Sequence, residues 1–198
     1  GTRGPGTLSF VDIVVASWIL DLDVDIVTGF RGSRDGILGA LRGDVDAVAH
    51  SHGSLADAFE AGEMHPWLQV TDGPINDDSM FDGVPWLAGE DGLAVRAARL
   101  RGGDPDEAAA QAKALVELTA AGRLIAAPRG LDDDLRRCMR DALHAALTDE
   151  AFVKAVADAG RPLHVSRGEE AAAQLEAIQP RVEAFVPALE RATDQYGK

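Results

Sequence analysis

The segment Val24-Asp-Ile-Val-Thr-Gly-Phe-Arg-Gly-Ser33, with the continuation Arg34–Leu41 and Val45-Asp-Ala-Val-Ala49, decides the predicted fold of this chain. It contains two short runs rich in β-branched residues, separated by a glycine-containing turn and a helical pattern. Alternation of this kind indicates parallel strands that are joined by crossover helices. We therefore predict an α/β fold with a mainly parallel sheet, whose strands lie near 24–28, 45–49, 66–71 and 123–127.

Helices are predicted where apolar residues recur at helical spacing between capping signals. The clearest start is Asp104, which precedes Pro105 and has Glu107 three positions later. Thr7 or Ser9 is a predicted N-cap for the first helix, and Pro180 is expected to separate the last two. The predicted helices cover residues 7–20, 34–41, 55–61 (capped by Ser54), 105–121, 131–147, 149–159, 167–178 and 180–192.

Residues 72–92 are rich in glycine, proline, asparagine and aspartate, which predicts a long irregular loop. We expect residues 1–125 to form an α/β ligand-binding lobe and residues 126–198 to form a mostly helical part. The apolar stripe of the helix at 131–147, which includes Leu135 and Cys138, is predicted to face a core.

The net charge of the chain limits the classes of partner that we expect it to bind. Its 198 residues include 19 basic and 33 acidic side chains, a net charge of −14. This argues against binding to nucleic acid or to an anionic membrane surface, although a local cradle can still hold a small anion. Cys138 is the single cysteine, so an intramolecular disulfide is excluded.

Two glycine-containing loops that open helices are candidate anion-binding sites, because free N–H groups point outward at a helix N-terminus. In the first loop, Gly4, Gly6 and Thr7 would hold a carboxylate with backbone N–H groups and a hydroxyl. In the second, Phe30, Arg31, Gly32 and Ser33 would supply another contact, with Ser33 as the N-cap. The alternative interpretation is two ordinary turns, with Arg31 in solvent.

His50 and His52 follow the predicted strand 45–49 at a spacing that places their side chains on one side. Two such histidines can bind a metal, with Asp46 and His65 as conceivable partners. No further ligands occur at a recognisable spacing, so no metal and no cofactor are predicted. His50 and Ser51 are instead expected to contribute to the wall of a ligand pocket.

The order of these features resembles the solute-binding proteins of tripartite tricarboxylate transporters, the Bug/TctC-like family. Gly4-Pro-Gly-Thr-Leu-Ser-Phe10 is similar to the family's Gly/Ser loop, and Val27-Thr-Gly-Phe-Arg-Gly32 to its Val-Pro-Tyr-Lys-Gly turn. Further similar stretches are Leu38–Asp46 with Ala58–Gly62, Leu124–Pro128, and Leu135–Phe152 with Ala159-Gly160. Phe30 departs from the family's tyrosine, and His52-Gly53 departs from its apolar residue and proline.

The resemblance implies a type II periplasmic-binding-protein fold and a function in transport rather than catalysis. The protein would be a periplasmic or extracytoplasmic monomer, with or without a membrane tether. It would capture a small carboxylate and pass it to the membrane subunits of a transporter. The family's first lobe begins well upstream of Gly1, so the chain would lack part of that lobe.

Two other classes of function stay open. One is an enzyme on the same fold, in which His50 or His52 acts as general base. The other is a sensing or assembly domain that no longer binds solute.

Overall fold

The computed structural model describes residues 1–120, 124–159 and 163–197. The regular structure in these residues is helical, and the one β-type pairing among them is an isolated parallel bridge between Gln69 and Trp86. The prediction of an α/β fold with a mainly parallel sheet, and with it a type II periplasmic-binding-protein fold, is therefore wrong. The elements are α1 Leu8–Leu20, α2 Ser33–Arg42, α3 His52–Glu60, a short 3-10 helix Ser79–Phe81, α4 Leu93–Arg101, α5 Pro105–Ala120, α6 Asp133–Leu147, α7 Glu150–Asp158 and α8 Gly168–Tyr196.

The segments predicted as strands make scattered main-chain hydrogen bonds instead of a continuous ladder. The Val27 carbonyl oxygen accepts from the Thr2 N–H (2.9 Å), and the Ala47 carbonyl oxygen accepts from the Gly1 nitrogen (2.6 Å). Parallel sheets are stable when helices cover both of their faces. Here Val24 and Val27 keep 42% and 44% of their surface exposed, so the covering that such a sheet needs is missing at these residues.

The chain divides into two compact units: residues 1–120 with 181–198, and residues 121–180. The first unit holds the hydrophobic core, which is built on α1, α4, α5 and the last turns of α8. Val14, Val15, Leu87 and Leu115 are completely buried there. Their burial removes apolar surface from water, and this contributes about 1.5–3 kcal/mol for each such side chain.

The predicted start of α5 is confirmed. Asp104 Oδ1 accepts from the N–H groups of Asp106 (2.9 Å) and Glu107 (3.2 Å), and Pro105 is the first helical residue. The helix α4, which precedes it, was not among the predicted helices.

The described part of the second unit has no buried side chain on α6 or α7. Leu135 and Met139 are 48% and 44% exposed, and the Cys138 thiol is exposed. The prediction that this stripe faces a core is therefore wrong. α6 does carry apolar residues at helical spacing. In this unit, however, it packs mainly against the nine-residue α7, which is too short to cover that apolar stripe.

The predicted break at Pro180 is also wrong, since α8 is a single 29-residue helix. An internal proline removes one hydrogen bond and disfavours the helix. The part of α8 that follows Pro180 has four residues buried in the core of the first unit: Phe185, Ala188, Ala192 and Tyr196. Their packing stabilises the helical conformation after the proline.

Candidate functional site

The first candidate loop ends in a formed N-cap. Thr7 has extended backbone angles, and its Oγ1 accepts from the Phe10 N–H (3.4 Å) and donates to the Gly4 carbonyl oxygen (2.8 Å). Gly4 and Gly6 both have positive φ angles (138° and 82°), which favour glycine. Of the two predicted caps of α1, Thr7 and Ser9, the structure uses Thr7, and the loop turns tightly enough to present the start of that helix.

The second candidate loop opens α2 in a slightly different register from the prediction. Gly32 is the N-cap and Ser33 is the first helical residue, so the prediction that Ser33 caps the helix is wrong. The Arg31 N–H donates to Asp35 Oδ2 (3.1 Å), while the Arg31 side chain is exposed. Asp35 thus holds the residue before the N-cap, and no side chain caps the first N–H groups of α2.

The segments that lead into the two candidate loops lie side by side. The Phe30 N–H donates to the Thr2 carbonyl oxygen (3.4 Å), and the Gly29 N–H donates to the Arg3 carbonyl oxygen (3.2 Å). The next carbonyl oxygen along the chain, that of Gly4, accepts from the cap residue Thr7. Consecutive carbonyl groups thus connect the start of α1 to the turn that precedes α2.

His50 lies beside the first turn of α2. A Cβ atom on Gly36 would lie 3.0 Å from His50 Nε2, so this nitrogen packs against the backbone of that glycine. Among the described residues, His50 Nε2 is the one buried side-chain nitrogen or oxygen without a hydrogen-bond partner. Burial lowers the pKa of the His50 imidazole. His50 is therefore neutral at pH 7.

Ser51 and His52 do not adopt the predicted strand geometry. Ser51 is the N-cap of α3 and His52 is its first residue, so the prediction that Ser54 caps this helix is wrong. The Ser51 and Ser54 hydroxyl oxygens lie 3.0 Å apart, within hydrogen-bonding distance.

His52 contacts other partners than His50 does. Its Nε2 lies 3.4 Å from Asp78 Oδ2, and its ring meets the Phe81 ring edge to face at 5.1 Å. The two histidines therefore do not form one ligand pair. Within residues 1–120, 124–159 and 163–197, no group of three or more His, Cys, Asp or Glu side chains could hold a metal. A carboxylate beside an imidazole can orient a general base, but the described residues show no nucleophile hydrogen-bonded to His52.

Two open concavities lie near the other end of α1, away from the candidate loops. One, of about 290 Å³, is lined by residues that include Trp18, Arg101 and Glu107; the other, of about 450 Å³, is lined by residues 21–24 with Gln195 and Tyr196. No predicted site residue lines either of them. Sequence reasoning missed both, because the lining residues come from segments that are distant in the chain.

Comparison with family models, with characterised proteins and with solved structures found no match for this chain. In the part of the chain that the structure describes, no helix has both the length and the apolarity that a membrane crossing requires.

Proposed function

We propose that this chain binds a small carboxylate at the starts of α1 and α2, as the solute-binding component of a tripartite tricarboxylate-type transporter. The observation that carries the binding proposal is the pairing of the segments that lead into the two loops, through the hydrogen bonds from Phe30 to Thr2 and from Gly29 to Arg3. The transport role, the location outside the cytoplasm and the membrane subunits as partners rest on the sequence resemblance.

Carboxylate binding at this place has a clear physical basis. The first N–H groups of a helix have no partner within the helix, and the helix dipole adds positive potential at the same end. Two neighbouring helix starts, one behind Thr7 and one behind Gly32, would offer such donors to the two oxygens of one carboxylate. Hydrogen bonds to a charged acceptor are about twice as strong as those between neutral groups.

His50 fits the same site as a neutral hydrogen-bond donor. Because Nε2 is buried against Gly36, Nδ1 is the ring nitrogen that a ligand could reach. A neutral imidazole carries its proton on one nitrogen only. With that proton on Nδ1, the ring would donate to a carboxylate oxygen beside the first turn of α2.

The proposal is tested by a nuclear magnetic resonance titration of the 198-residue chain with succinate and, separately, with its uncharged diamide. We expect succinate to shift the backbone amide signals of residues 8–10 and 33–36, with weak affinity. The diamide should shift them much less, because it lacks the charge that the helix dipoles attract. Equal shifts with both compounds, or shifts confined to other residues, would contradict the proposal.

Variants at Thr7 provide the matched control. Thr7→Ser keeps a hydroxyl that can cap α1 and should keep binding, whereas Thr7→Ala should weaken binding about tenfold or more. Arg31→Ala should change the affinity little, because its exposed side chain is well screened by water. If Thr7→Ala and Thr7→Ser bind succinate equally, the N-terminus of α1 is not part of the site.

A further inference from the structure

Asp12 is a carboxyl group placed inside the contact between α1 and α5. Thr119 Oγ1 lies 3.0 Å from Asp12 Oδ1 and 2.9 Å from the Leu115 carbonyl oxygen, one turn back on α5. A threonine hydroxyl has a single proton to donate. It therefore cannot donate fully to both acceptors while Asp12 is ionised.

Protonation of Asp12 removes this conflict. The carboxyl O–H then donates to Thr119 Oγ1, and the Thr119 hydroxyl donates to the Leu115 carbonyl oxygen. All three groups are satisfied in one chain of hydrogen bonds, and no charge is held between the helices. An ionised Asp12 can take the Thr119 hydroxyl proton, but it then holds a charge between the helices in a region with little water, and that desolvation is costly.

Among residues 1–120, 124–159 and 163–197, no cation pairs with Asp12. In the described residues, Asp12 has one hydrogen bond, from Thr119, and no ion pair. The charged side chains of the helices packed against α1 are either exposed or engaged elsewhere. Three of them have other partners: Arg101 of α4 donates to the Ile19 and Leu20 carbonyl groups, Glu117 of α5 pairs with Arg181, and Arg191 of α8 lies over Trp18. The exposed ones are Arg96 and Arg99 on α4, Asp106, Glu107 and Lys113 on α5, and Glu183, Glu190 and Asp194 on α8.

We propose that Asp12 and Thr119 form a proton-dependent lock between α1 and α5 that tightens at mildly acidic pH. This inference is independent of the proposed carboxylate site. It agrees with the electrostatics of the position, since burial raises the pKa of Asp12 to about 6 against the smaller lowering effect of the Thr119 hydrogen bond.

The direction of the pH dependence follows from proton linkage. Between the ordinary carboxyl pKa of 3.8 and the folded-state pKa of about 6, the folded protein binds more protons at Asp12 than the unfolded chain does. Stability from this group is therefore gained as the pH falls from 7 towards 4, and lost as the pH rises through about 6.

The test is urea unfolding of wild type and of Asp12→Asn at pH 4.5 and pH 7, followed by tryptophan fluorescence. All three tryptophans, at 18, 67 and 86, lie in the unit that contains Asp12. An asparagine amide donates to Thr119 Oγ1 at any pH, as the protonated carboxyl does. We expect Asp12→Asn to lower the unfolding equilibrium constant about tenfold to a hundredfold at pH 7, and much less at pH 4.5.

Three controls make the result decisive. Asp25→Asn changes an exposed aspartate of the same unit and should leave the difference between the two pH values as it is in wild type. A Thr119→Val background removes the hydrogen bond that favours the charged carboxylate, so the gain from Asp12→Asn at pH 7 should be at least as large as in wild type. A carbon-13 titration of the wild-type Asp12 carboxyl should show a midpoint near 6. A midpoint near 4, or an Asp12→Asn variant that is no more stable at pH 7, would overturn the proposal.

Discussion

The ring of Phe30 lies directly on Gly39 of α2, where a Cβ atom would come within 2.6 Å of the ring carbon Cε1. The same ring packs against Gly1 on its other side. Phe30 was predicted as a ligand contact, and the structure gives it a packing role at the edge of the candidate site. The absence of a side chain at Gly39 is what lets the turn before α2 lie close to that helix.

We expect Gly39→Ala to destabilise the protein. Alanine in a helix interior normally gains about 1 kcal/mol over glycine, but overpacking costs about 1–3 kcal/mol. The net effect should be a loss of about 1 kcal/mol, measured by urea unfolding. In a Phe30→Leu background the ring is gone and the same substitution should stabilise. A stabilising Gly39→Ala in the wild-type background would show that the ring moves aside freely.

Arg101 closes the C-terminal end of α1. Its Nη1 donates to the Leu20 carbonyl oxygen (2.6 Å) and its Nη2 to the Ile19 carbonyl oxygen (2.7 Å). Both carbonyl groups lie at the negative end of the helix dipole, where a cation is favourable. Arg101→Met should therefore cost about 1–3 kcal/mol of unfolding free energy. Arg99→Met, an exposed change on the same helix, is the control and should cost little; equal losses in both variants would refute the capping role.

Gln69 organises the irregular segment that follows it. Its buried side chain donates from Nε2 to the Val84 carbonyl oxygen (2.8 Å) and accepts at Oε1 from the Ile75 N–H (2.9 Å). Gln69→Leu would leave both backbone groups without partners, and we expect a loss of about 2 kcal/mol or more. Gln111→Leu, which removes only an exposed pair on α5, should cost a few tenths of a kcal/mol. Similar losses in the two variants would contradict the special role of Gln69.

We expect the Cys138 thiol to react readily with thiol reagents in the folded protein. It lies on α6 with its thiol exposed, whereas the sequence pattern had placed it in a core. We expect a water-soluble thiol reagent to modify one thiol per chain in native buffer, at a rate close to that in denaturant. The variant Cys138→Ser should show no modification. Labelling that needs denaturant would mean that this face of α6 is covered.

The caps of α1 and α5 were predictable because their contacts are short in sequence. Thr7 bonds to Gly4 and to the Phe10 N–H, and Asp104 bonds to the N–H groups of residues 106 and 107. Such contacts depend on the identity of residues two or three positions apart. The start of α3 was missed because two neighbouring serines, Ser51 and Ser54, both carry a capping signal.

The sequence indicated the loops of the candidate site, but not the contacts between distant segments that surround them. The sequence indicated the loops of Gly4 to Thr7 and Phe30 to Ser33, because glycine and hydroxyl residues at helix starts have a local meaning. It gave no information about the orphaned Nε2 of His50, or about the pairing of His52 with Asp78. Those features depend on which distant backbone segments come together.

Most helix boundaries follow from the sequence alone, because capping and apolar spacing act over a few residues. Only the tertiary structure decided whether the β-branched segments pair as a sheet, whether the stripe of α6 is buried, and how Asp12 meets Thr119, 107 positions away. A strand becomes part of a sheet, and an apolar stripe part of a core, through partners that are far apart in the chain. The same valine-rich run is a strand when both its faces are covered, and an irregular segment when, as at Val24 and Val27, they are left exposed.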